Sequence, residues 1–324
     1  MTQPLLEVRG LTTRFRTERG ELTAVDDVWF TLDAGQTLAI VGESGSGKSV
    51  TALSLMRLIP DPPGRITDGA ILFEGQDLLR LGDAQMRAIR GDRIAMIFQE
   101  PMSSLNPALT VGLQVAEPVN VHRGEPWVRA YAQAKALLAR VRIPDAASRL
   151  HTYPHQYSGG MRQRTMIAMA LACEPRLIIA DEPTTALDVT VQAQILDLLK
   201  ELTRETRAAL ILITHDLGVV ARYADVVAVM YGGRIVEQAS AAALYARPRH
   251  PYTRGLLASI PRLDGDAGQR LVPITGQPPD LARLPPGCAF APRCGRADAR
   301  CQSARPALRE VAPQHLSACH HDAD

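Results

Sequence analysis

The eight residues "GESGSGKS" between Gly42 and Ser49 have the types and spacing that bind a phosphate chain. They match G-x-x-x-x-G-K-[ST] and lie between an apolar run and a helical pattern, the context that such a loop requires. Glycines let successive backbone N–H groups face one anion, and the helix N-terminus adds partial positive charge. Lys48 is expected to neutralise the β and γ phosphates, and Ser49 to bind Mg²⁺. The alternative is an ordinary glycine-rich turn. The nucleotide-binding residues expected here are Gly42, Glu43, Ser44, Gly45, Ser46, Gly47, Lys48 and Ser49.

A second candidate feature is "LIIADEP", an apolar strand that ends in Asp181 and Glu182. Buried carboxylates are costly without a partner, so two adjacent acids at a strand end predict a nearby cation. Asp181 is expected to hold Mg²⁺ through its water shell, and Glu182 to polarise the water that attacks the γ-phosphate. Two acids on a solvated turn are the alternative, and the phosphate loop in the same chain favours the catalytic interpretation.

The elements that must position these residues alternate between buried strands and helices. Runs that are apolar on both faces predict strands covered by helices on each side, with binding loops at their carboxyl ends. Between about 110 and 155 the sequence shows only helical patterns, which predicts a helical lobe inserted into an α/β core. The predicted strands are 36–42, 93–99, 176–181 and 209–215, and the predicted helices are Ser49–Leu58, Glu125–Val141, Gly159–Cys173 and Val191–Thr203.

The overall composition argues against a nucleic-acid-binding polycation, a secreted protein and a membrane-spanning protein. The chain has 324 residues, 46% hydrophobic and 4% aromatic residues, and a net charge of +2, which fits an α/β protein and gives no polycation for nucleic acid. The N-terminus lacks a basic start followed by an apolar run, so no signal peptide is predicted. Apolar stretches are far shorter than the roughly 20 residues that span a bilayer. The chain is therefore expected in the cytosol, where cysteines stay reduced.

The C-terminal part has a different texture. Nine of the 23 prolines fall in residues 261–324, and four of the five cysteines lie there, at Cys288, Cys294, Cys301 and Cys319. We expect a small, loop-built appendage. It buries little apolar area, so it needs a stabilising crosslink such as a bound metal. Reduced cysteines predict a metal rather than disulfides. The cysteine spacing matches neither the paired cysteines of zinc sites nor the motifs of familiar ferredoxins. An iron–sulfur cluster, a zinc ion and no metal all remain possible occupants. His315, His320 or His321 could replace one cysteine as a ligand.

The segment "YSGGMRQRTMIAMAL" from Tyr157 to Leu171 resembles the signature segment of ATP-binding cassette (ABC) ATPases. Gln99 in "IFQEP", "ALD" at 186–188 and His215 in "LITHDLGVV" follow the same family's order. The resemblance covers about residues 5–260 and implies a P-loop ATPase with an antiparallel β subdomain and a helical signature lobe. Tyr157 stands for the usual Leu, and Met161 for the usual Gln.

The resemblance implies roles for further residues. Ser158, Gly159 and Gly160, which also open a helix and so form a second anion-binding N-terminus, would cap the γ-phosphate of ATP held by a partner subunit. Gln99 would sense the γ-phosphate and Mg²⁺, His215 would grip the γ-phosphate and orient the water, and Phe15 would stack on adenine. Without the resemblance, His215 and Phe15 have core packing as their alternative.

Three segments, "GESGSGKS", "QEPMSSLNP" and "RPRHPYTRGLLASIP", resemble the oligopeptide, dipeptide and nickel uptake branch. The resemblance implies an importer ATPase at the cytoplasmic face of the inner membrane, paired with a second, commonly different ATPase chain. Two permease subunits and an extracytoplasmic binding protein would complete it. Peptides are the expected cargo, with nickel or another small solute as the alternative; a soluble ABC ATPase acting on DNA or ribosomes is the alternative of another class.

Relatives in that branch with C-x₅-C-x₆-C and a later Cys bind a 4Fe-4S cluster in the tail. The resemblance therefore implies that Cys288, Cys294, Cys301 and Cys319 are its ligands, with zinc as runner-up. The expected organisation is an ATPase domain at 1–260, with its helical lobe at about 105–172, and a C-terminal extension at 261–324. Cys173 lies outside the cluster and is expected to be a buried apolar residue.

Overall fold

Strands and helices alternate along the chain in the computed structural model, which describes residues 3–18, 20–100, 104–185, 187–259 and 273–321. The strands are β1 (Leu6–Thr17), β2 (Gly20–Leu32), β3 (Thr37–Val41), β4 (Gly64–Phe73), β5 (Gln76–Asp77), β6 (Ile94–Ile97), β7 (Leu177–Asp181), β8 (Ala209–Thr214), β9 (Val226–Tyr231), β10 (Arg234–Ser240), β11 (Arg309–Ala312) and β12 (His315–Ser317). The α-helices in this part of the chain are α1 (Lys48–Leu55), α2 (Asp83–Ile89), α3 (Val111–Arg123), α4 (Trp127–Arg140), α5 (Ala146–Arg149), α6 (Gly159–Leu171), α7 (Val189–Thr206), α8 (Leu217–Tyr223), α9 (Ala241–Ala246), α10 (Pro251–Ala258) and α11 (Ala299–Ser303).

The chain divides into two compact units. The first comprises Met1–Leu32, Thr37–Leu79 and Ile213–Asp324, and the second comprises Asp33–Gln36 and Arg80–Leu212. The phosphate loop and the cysteine tail thus belong to the first unit, whereas the acidic strand end and the signature segment belong to the second.

The first unit contains two sheets. One is antiparallel, with strand order β2-β1-β4-β5, and it confirms the antiparallel β subdomain that the family resemblance implies. The other has the order β11-β12-β10-β9-β3. In β3 every residue is buried, and β3 pairs in parallel with β9, as expected of strands whose two faces are both covered.

The C-terminal tail is more regular than its sequence predicts. Strand β12 pairs antiparallel with β10, and β11 pairs with β12, so the tail extends the sheet of the first unit. Phe290 from the tail is buried in the core beside Tyr231 and Tyr252. The tail that was predicted to be loop-built therefore also contributes two short strands to this sheet. Strands of three and four residues carry too short a pattern to be recognised in a sequence.

A buried carboxylate joins three elements of the first unit. Glu237 on β10 is fully buried and accepts hydrogen bonds from the backbone N–H groups of Arg249, at 2.6 Å, and His250, at 2.9 Å. The ring nitrogen Nε2 of His315, on β12, lies 2.7 Å from the same carboxylate. These contacts tie the tail to β10 and to the start of α10.

The second unit combines strands in the order β8-β7-β6 with a group of helices. Strand β6 pairs in parallel with β7, whose five residues are all buried. Between 110 and 155 the only regular structure described is helical, which confirms that this range was correctly predicted to contain helices without strands. Predicted strands are one or two residues too long at their ends; the run at 93–99, for example, is a strand only over Ile94–Ile97.

Candidate nucleotide site and cysteine cluster

The phosphate loop takes a path that requires glycine. Gly47 has a φ of +103°, and a Cβ there would lie 2.5 Å from the backbone oxygen of Ala24 on β2. At Gly42 a Cβ would collide with the backbone oxygen of Met230 on β9. Both positions let the loop curl against neighbouring strands in a conformation that other residues adopt only under strain.

The loop surrounds a buried lysine. Lys48 is 5% exposed, and its Nζ donates to the backbone oxygens of Gly42, at 2.7 Å, and Glu43, at 2.9 Å. Helix α1 begins here without a side-chain cap. The Ser46 hydroxyl is buried and makes no hydrogen bond to any described residue. An uncapped helix N-terminus, an ammonium group and an unpaired hydroxyl together form a donor set that suits a phosphate chain.

In the second unit, Glu182 is oriented by two neighbours. It follows Asp181, the buried last residue of β7, and its φ of +45° lies in the left-handed region that costs energy for a residue with a side chain. Its Oε2 accepts a hydrogen bond from Nε2 of Gln99, at 3.2 Å, and another from Oγ1 of Thr185, at 2.9 Å. The structure thus brings together Gln99 and Glu182, which the sequence places 83 residues apart.

The signature segment opens α6. Ser158 is the N-cap, and its Oγ accepts a hydrogen bond from the Met161 N–H at 3.3 Å. Ser158 and Gly159 are exposed, so this helix N-terminus faces solvent. Tyr157, where the family usually has Leu, is buried and donates from its hydroxyl to the Arg149 backbone oxygen at 3.1 Å. This departure from the family pattern is therefore buried, whereas Ser158 and Gly159 stay exposed.

His215 and Phe15 lie in the first unit, and "ALD" at 186–188 lies in the second. His215 is exposed and directly follows β8. Phe15 is half-buried on β1, and its ring faces Gly64, where a Cβ would lie 2.6 Å from Cε1. Of "ALD" at 186–188, residue 186 lies outside the described residues, and Asp188 caps α7 by accepting from the Val191 N–H at 2.9 Å.

Four cysteines in the tail line one small cavity. Cys288, Cys294, Cys301 and Cys319 share it with His250, His320 and His321. The Cys288 N–H donates to the Cys301 backbone oxygen at 2.8 Å, which ties the first and third cysteines together.

A carboxylate that sequence reasoning missed also lies at the cluster. Ligand atoms of Asp298, Cys301 and His321 lie within 4.8 Å of one another. Of the proposed substitute ligands, His315 instead lies against Glu237, and His320 contacts the Ala304 backbone oxygen at 2.8 Å.

The thiols of the cluster are electrostatically unusual. Burial, followed by the proximity of the other thiols, raises the pKa of Cys288 and Cys319, and burial raises the pKa of Cys301. Such thiols stay protonated near neutral pH unless a cation stabilises the thiolate form. The structure thus places four thiols around one cavity.

Comparison with known proteins gives the family. The ABC transporter model matches residues 25–185, and the model for the C-terminal region of oligopeptide/dipeptide transporters matches residues 236–301. The oligopeptide transport ATP-binding protein OppD of Haemophilus influenzae is 54% identical, over 93% of this chain and 92% of its own length. The chain belongs to the ABC transporter family.

Other ABC proteins extend the likeness to nearly the whole chain and to the fold. The dipeptide transport ATP-binding protein DppD of Bacillus subtilis is 52% identical over 98% of this chain and 94% of its own length. Among solved structures, the ATP-binding cassette MJ0796, a dimer in a post-hydrolysis state with ADP and phosphate, superimposes with a TM-score of 0.66 at 27% identity. That match covers 73% of this chain and 98% of the cassette. ATP-binding subunits of ABC transporters hydrolyse ATP, and this chain has their cassette fold with mixed α/β sheets.

No helix among the described residues of this ABC protein combines the length and the apolar character that crossing a membrane demands.

Two residues at the phosphate loop escaped sequence reasoning. Tyr252 on α10 accepts the Glu43 N–H on its hydroxyl at 2.8 Å, and Arg293 in the tail forms an ion pair with the Glu43 carboxylate at 2.6 Å. Both approach the loop from more than 200 residues away in sequence. The Pro–Arg–Cys run in "FAPRC" places an arginine beside a cluster cysteine, but nothing local indicates its partner.

Proposed function

We propose that this ABC protein is the ATP-hydrolysing subunit of an importer that takes up di- and oligopeptides. The observation that carries the proposal is the presence, in one chain, of a complete phosphate loop and a C-terminal segment of the oligopeptide/dipeptide transporter type. Relatives named for oligopeptide and dipeptide transport, similar over almost the full chain, support the cargo class.

ATP is held by the phosphate loop and hydrolysed with the help of the acidic strand end. The loop N–H groups and Lys48 bind the phosphates, Ser49 and Asp181 hold Mg²⁺, and Phe15 stacks on the base. Mg²⁺, when bound, neutralises charge on the β- and γ-phosphate oxygens. Glu182, held by Gln99 and Thr185, accepts a proton from the attacking water.

Gln99 and His215 report the presence of the γ-phosphate. Gln99 is exposed and hydrogen-bonded to Glu182. A displacement of the Gln99 side chain therefore changes the orientation of the Glu182 carboxylate. The side chain of Gln99 also contributes an oxygen ligand to Mg²⁺. His215, exposed after β8, contacts the γ-phosphate and orients the water.

The exposed N-terminus of α6 serves a second ATPase subunit. Ser158, Gly159 and Gly160 cap the γ-phosphate of ATP in that subunit, because an exposed, dipole-bearing helix end is suited to an external anion. Two nucleotides are then buried between the two chains, which we propose are different ATPases. Hydrolysis removes the γ-phosphate contacts, and the pair opens.

The assembly includes two permease subunits and an extracytoplasmic binding protein that delivers the peptide. The ATPase lies at the cytoplasmic face of the inner membrane. Cargo choice then belongs to the permease and the binding protein, so this chain supplies energy rather than selectivity.

The cysteine cluster holds a 4Fe-4S cluster through Cys288, Cys294, Cys301 and Cys319. Their position around one shared cavity supports the assignment. When bound, the cluster supplies a rigid crosslink between segments of a proline-rich tail. Zinc held by the same thiols, with Asp298 or His321 in place of one, is the competing occupant.

The test is ATP hydrolysis by the complete transporter in proteoliposomes, with binding protein loaded with a dipeptide, a longer peptide or a nickel chelate. Peptide is expected to raise the ATPase rate, and Lys48→Ala in this chain is expected to abolish MgATP binding to its loop. Stimulation by the nickel chelate alone would reassign the cargo. MgATP hydrolysis that never responds to the permease or the binding protein would favour a soluble ABC ATPase.

A further inference from the structure

The phosphate loop carries a carboxylate that is paired with the C-terminal tail. Oε2 of Glu43 lies 2.6 Å from Nη1 of Arg293, and Oε1 lies 3.1 Å from Nη2, so the ion pair is bidentate. Bidentate guanidinium–carboxylate pairs fix geometry as well as charge. The two residues are 250 positions apart and join the second residue of the loop to the residue before Cys294.

Arg293 is held in place by its surroundings. Its side chain is 5% exposed, its Nε donates to the Thr275 backbone oxygen at 3.0 Å, and its Nη1 lies 3.3 Å from the Tyr231 hydroxyl. The guanidinium carbon also lies 6.0 Å from the centre of the Phe290 ring. A buried arginine with this many partners has little freedom to follow another anion.

The backbone of Glu43 is held from the same side. Its N–H donates to the hydroxyl of Tyr252, a fully buried side chain whose ring centre lies 4.5 Å from that of Tyr231. Phe290 packs against both rings, at 5.2 Å from Tyr231 and 5.4 Å from Tyr252. The backbone of Glu43 is therefore held by Tyr252, and its side chain by Arg293. Phe290 of the tail packs against the aromatic rings on this side of the loop.

The charge of the Glu43–Arg293 ion pair affects how the loop can receive a phosphate chain. A loop that receives a triphosphate is a poor place for an unpaired carboxylate, because like charges at short range repel. Arg293 cancels the charge of Glu43 and holds the carboxylate in one orientation.

We propose that Arg293 is a positioning residue for nucleotide binding: by pairing with Glu43 it removes repulsion from the phosphate loop, and through it the C-terminal tail sets the affinity for MgATP. This inference rests on the proposed nucleotide site. It assigns to the tail a role in ATP binding that is separate from any metal the cysteines hold.

The test is MgATP binding to the full chain by isothermal titration, together with steady-state ATPase assays. Arg293→Gln is expected to raise the Kd for MgATP about tenfold, with the loss in KM rather than kcat, and to raise it further at low salt, where repulsion is less screened. The double variant E43Q/R293Q is expected to recover most of that affinity, since no charge is left uncompensated. Arg305→Gln, which breaks the 2.9 Å pair between Arg305 in the tail and Asp26, is the matched control and should bind MgATP as the wild type does.

Equal MgATP affinity of R293Q and the wild type would overturn the inference, and so would a double variant as weak as R293Q or a loss independent of salt. If R293Q does not fold, E43Q alone is compared with the wild type. E43Q should then bind MgATP more tightly, because an unpaired guanidinium remains beside the loop, and equal affinity would refute the role of charge. A wild-type chain that binds no MgATP would refute the nucleotide site itself, a separate failure.

Discussion

The amide of Gln99 donates a hydrogen bond of 3.2 Å to the same oxygen of Glu182 that accepts the Thr185 hydroxyl at 2.9 Å. Both donors come from the same compact unit as Glu182, so the carboxylate is oriented before any nucleotide binds. As the proposed base, a carboxylate oriented in advance requires little rearrangement at the moment of reaction, which is what efficient proton transfer needs.

Glu182→Gln is therefore expected to lower kcat for ATP by about 10²–10⁴-fold while MgATP affinity stays near that of the wild type. The glutamine keeps an oxygen that can accept from Gln99 and Thr185, but it cannot take a proton from water. Steady-state ATPase assays of the assembled transporter and MgATP titration of the chain measure the two effects.

Glu201→Gln is the matched control for that change. Glu201 is an exposed acid of the same unit that pairs with Arg142 at 2.5 Å, so its neutralisation should leave turnover intact. An E182Q variant that hydrolyses ATP at the wild-type rate would show that another group is the base.

Gly159→Asp tests the signature segment. Among the described residues, a Cβ at Gly159 has Leu187 Cδ2, at 3.5 Å, as its near contact, so there is room for it, but the carboxylate would occupy the proposed anion-binding end of α6. The variant should bind MgATP in its own loop normally and should block hydrolysis at the site it caps in the partner subunit, by at least about tenfold. Vanadate trapping of nucleotide in the assembled transporter measures this.

Gly82→Asp makes the same change at the N-terminus of α2, which has no assigned ligand, and it should leave trapping unchanged. If G159D trapped nucleotide as well as the wild type does, the signature segment would have no role at the partner's site.

Metal content tests the cysteine cluster. Chain purified without oxygen should contain about four iron and four sulfide per chain, and Cys288→Ser or Cys294→Ser should lose them. Cys173→Ser is the control, because Cys173 is a buried thiol that contacts the Pro118 backbone oxygen at 3.4 Å, in the other unit.

Two results would change the assignment. Zinc in place of iron would reject the 4Fe-4S cluster. Metal that survives in C288S but is lost in Asp298→Asn would identify the Asp298, Cys301 and His321 group as the ligand set.

Glu237→Gln tests how the tail is held. The buried carboxylate faces the Arg249 and His250 N–H groups and the ring of His315, and an amide NH₂ cannot replace an accepting oxygen. The free energy of unfolding should fall by about 1–3 kcal/mol. Thermal denaturation measures the loss, and Glu310→Gln, at an exposed tail acid, should show almost none. Equal midpoints for E237Q and the wild type would mean that this contact contributes nothing to attachment of the tail.

Local chemistry was predictable from the sequence, and long-range pairing was not. The phosphate loop, the acidic strand end and the helix opened by Ser158 each depend on neighbours within a few residues, so spacing reveals them. The strand predicted at 93–99 ran long by Arg93, Phe98 and Gln99, which flank the observed strand Ile94–Ile97.

The bidentate pair between Glu43 and Arg293 and the strand pairing of β12 with β10 connect segments far apart in sequence. Each half lacks a local signature, since one is a single arginine and the other a strand of three residues. Asp298 was missed for the same reason: an exposed aspartate that caps α11 has no spacing that marks it as a potential ligand. The predicted division at 260 and 261 lies outside the described residues and stays a prediction.

The central claim is that ATP hydrolysis in this chain drives peptide uptake, and accumulation of a radiolabelled peptide in vesicles containing the complete transporter tests it most directly. With ATP supplied on the side of the ATPase and loaded binding protein on the other, the wild type should accumulate peptide, whereas E182Q should accumulate at least about tenfold less at equal transporter content. Uptake by E182Q at the wild-type rate, or uptake by the wild type that is the same without ATP, would contradict the account.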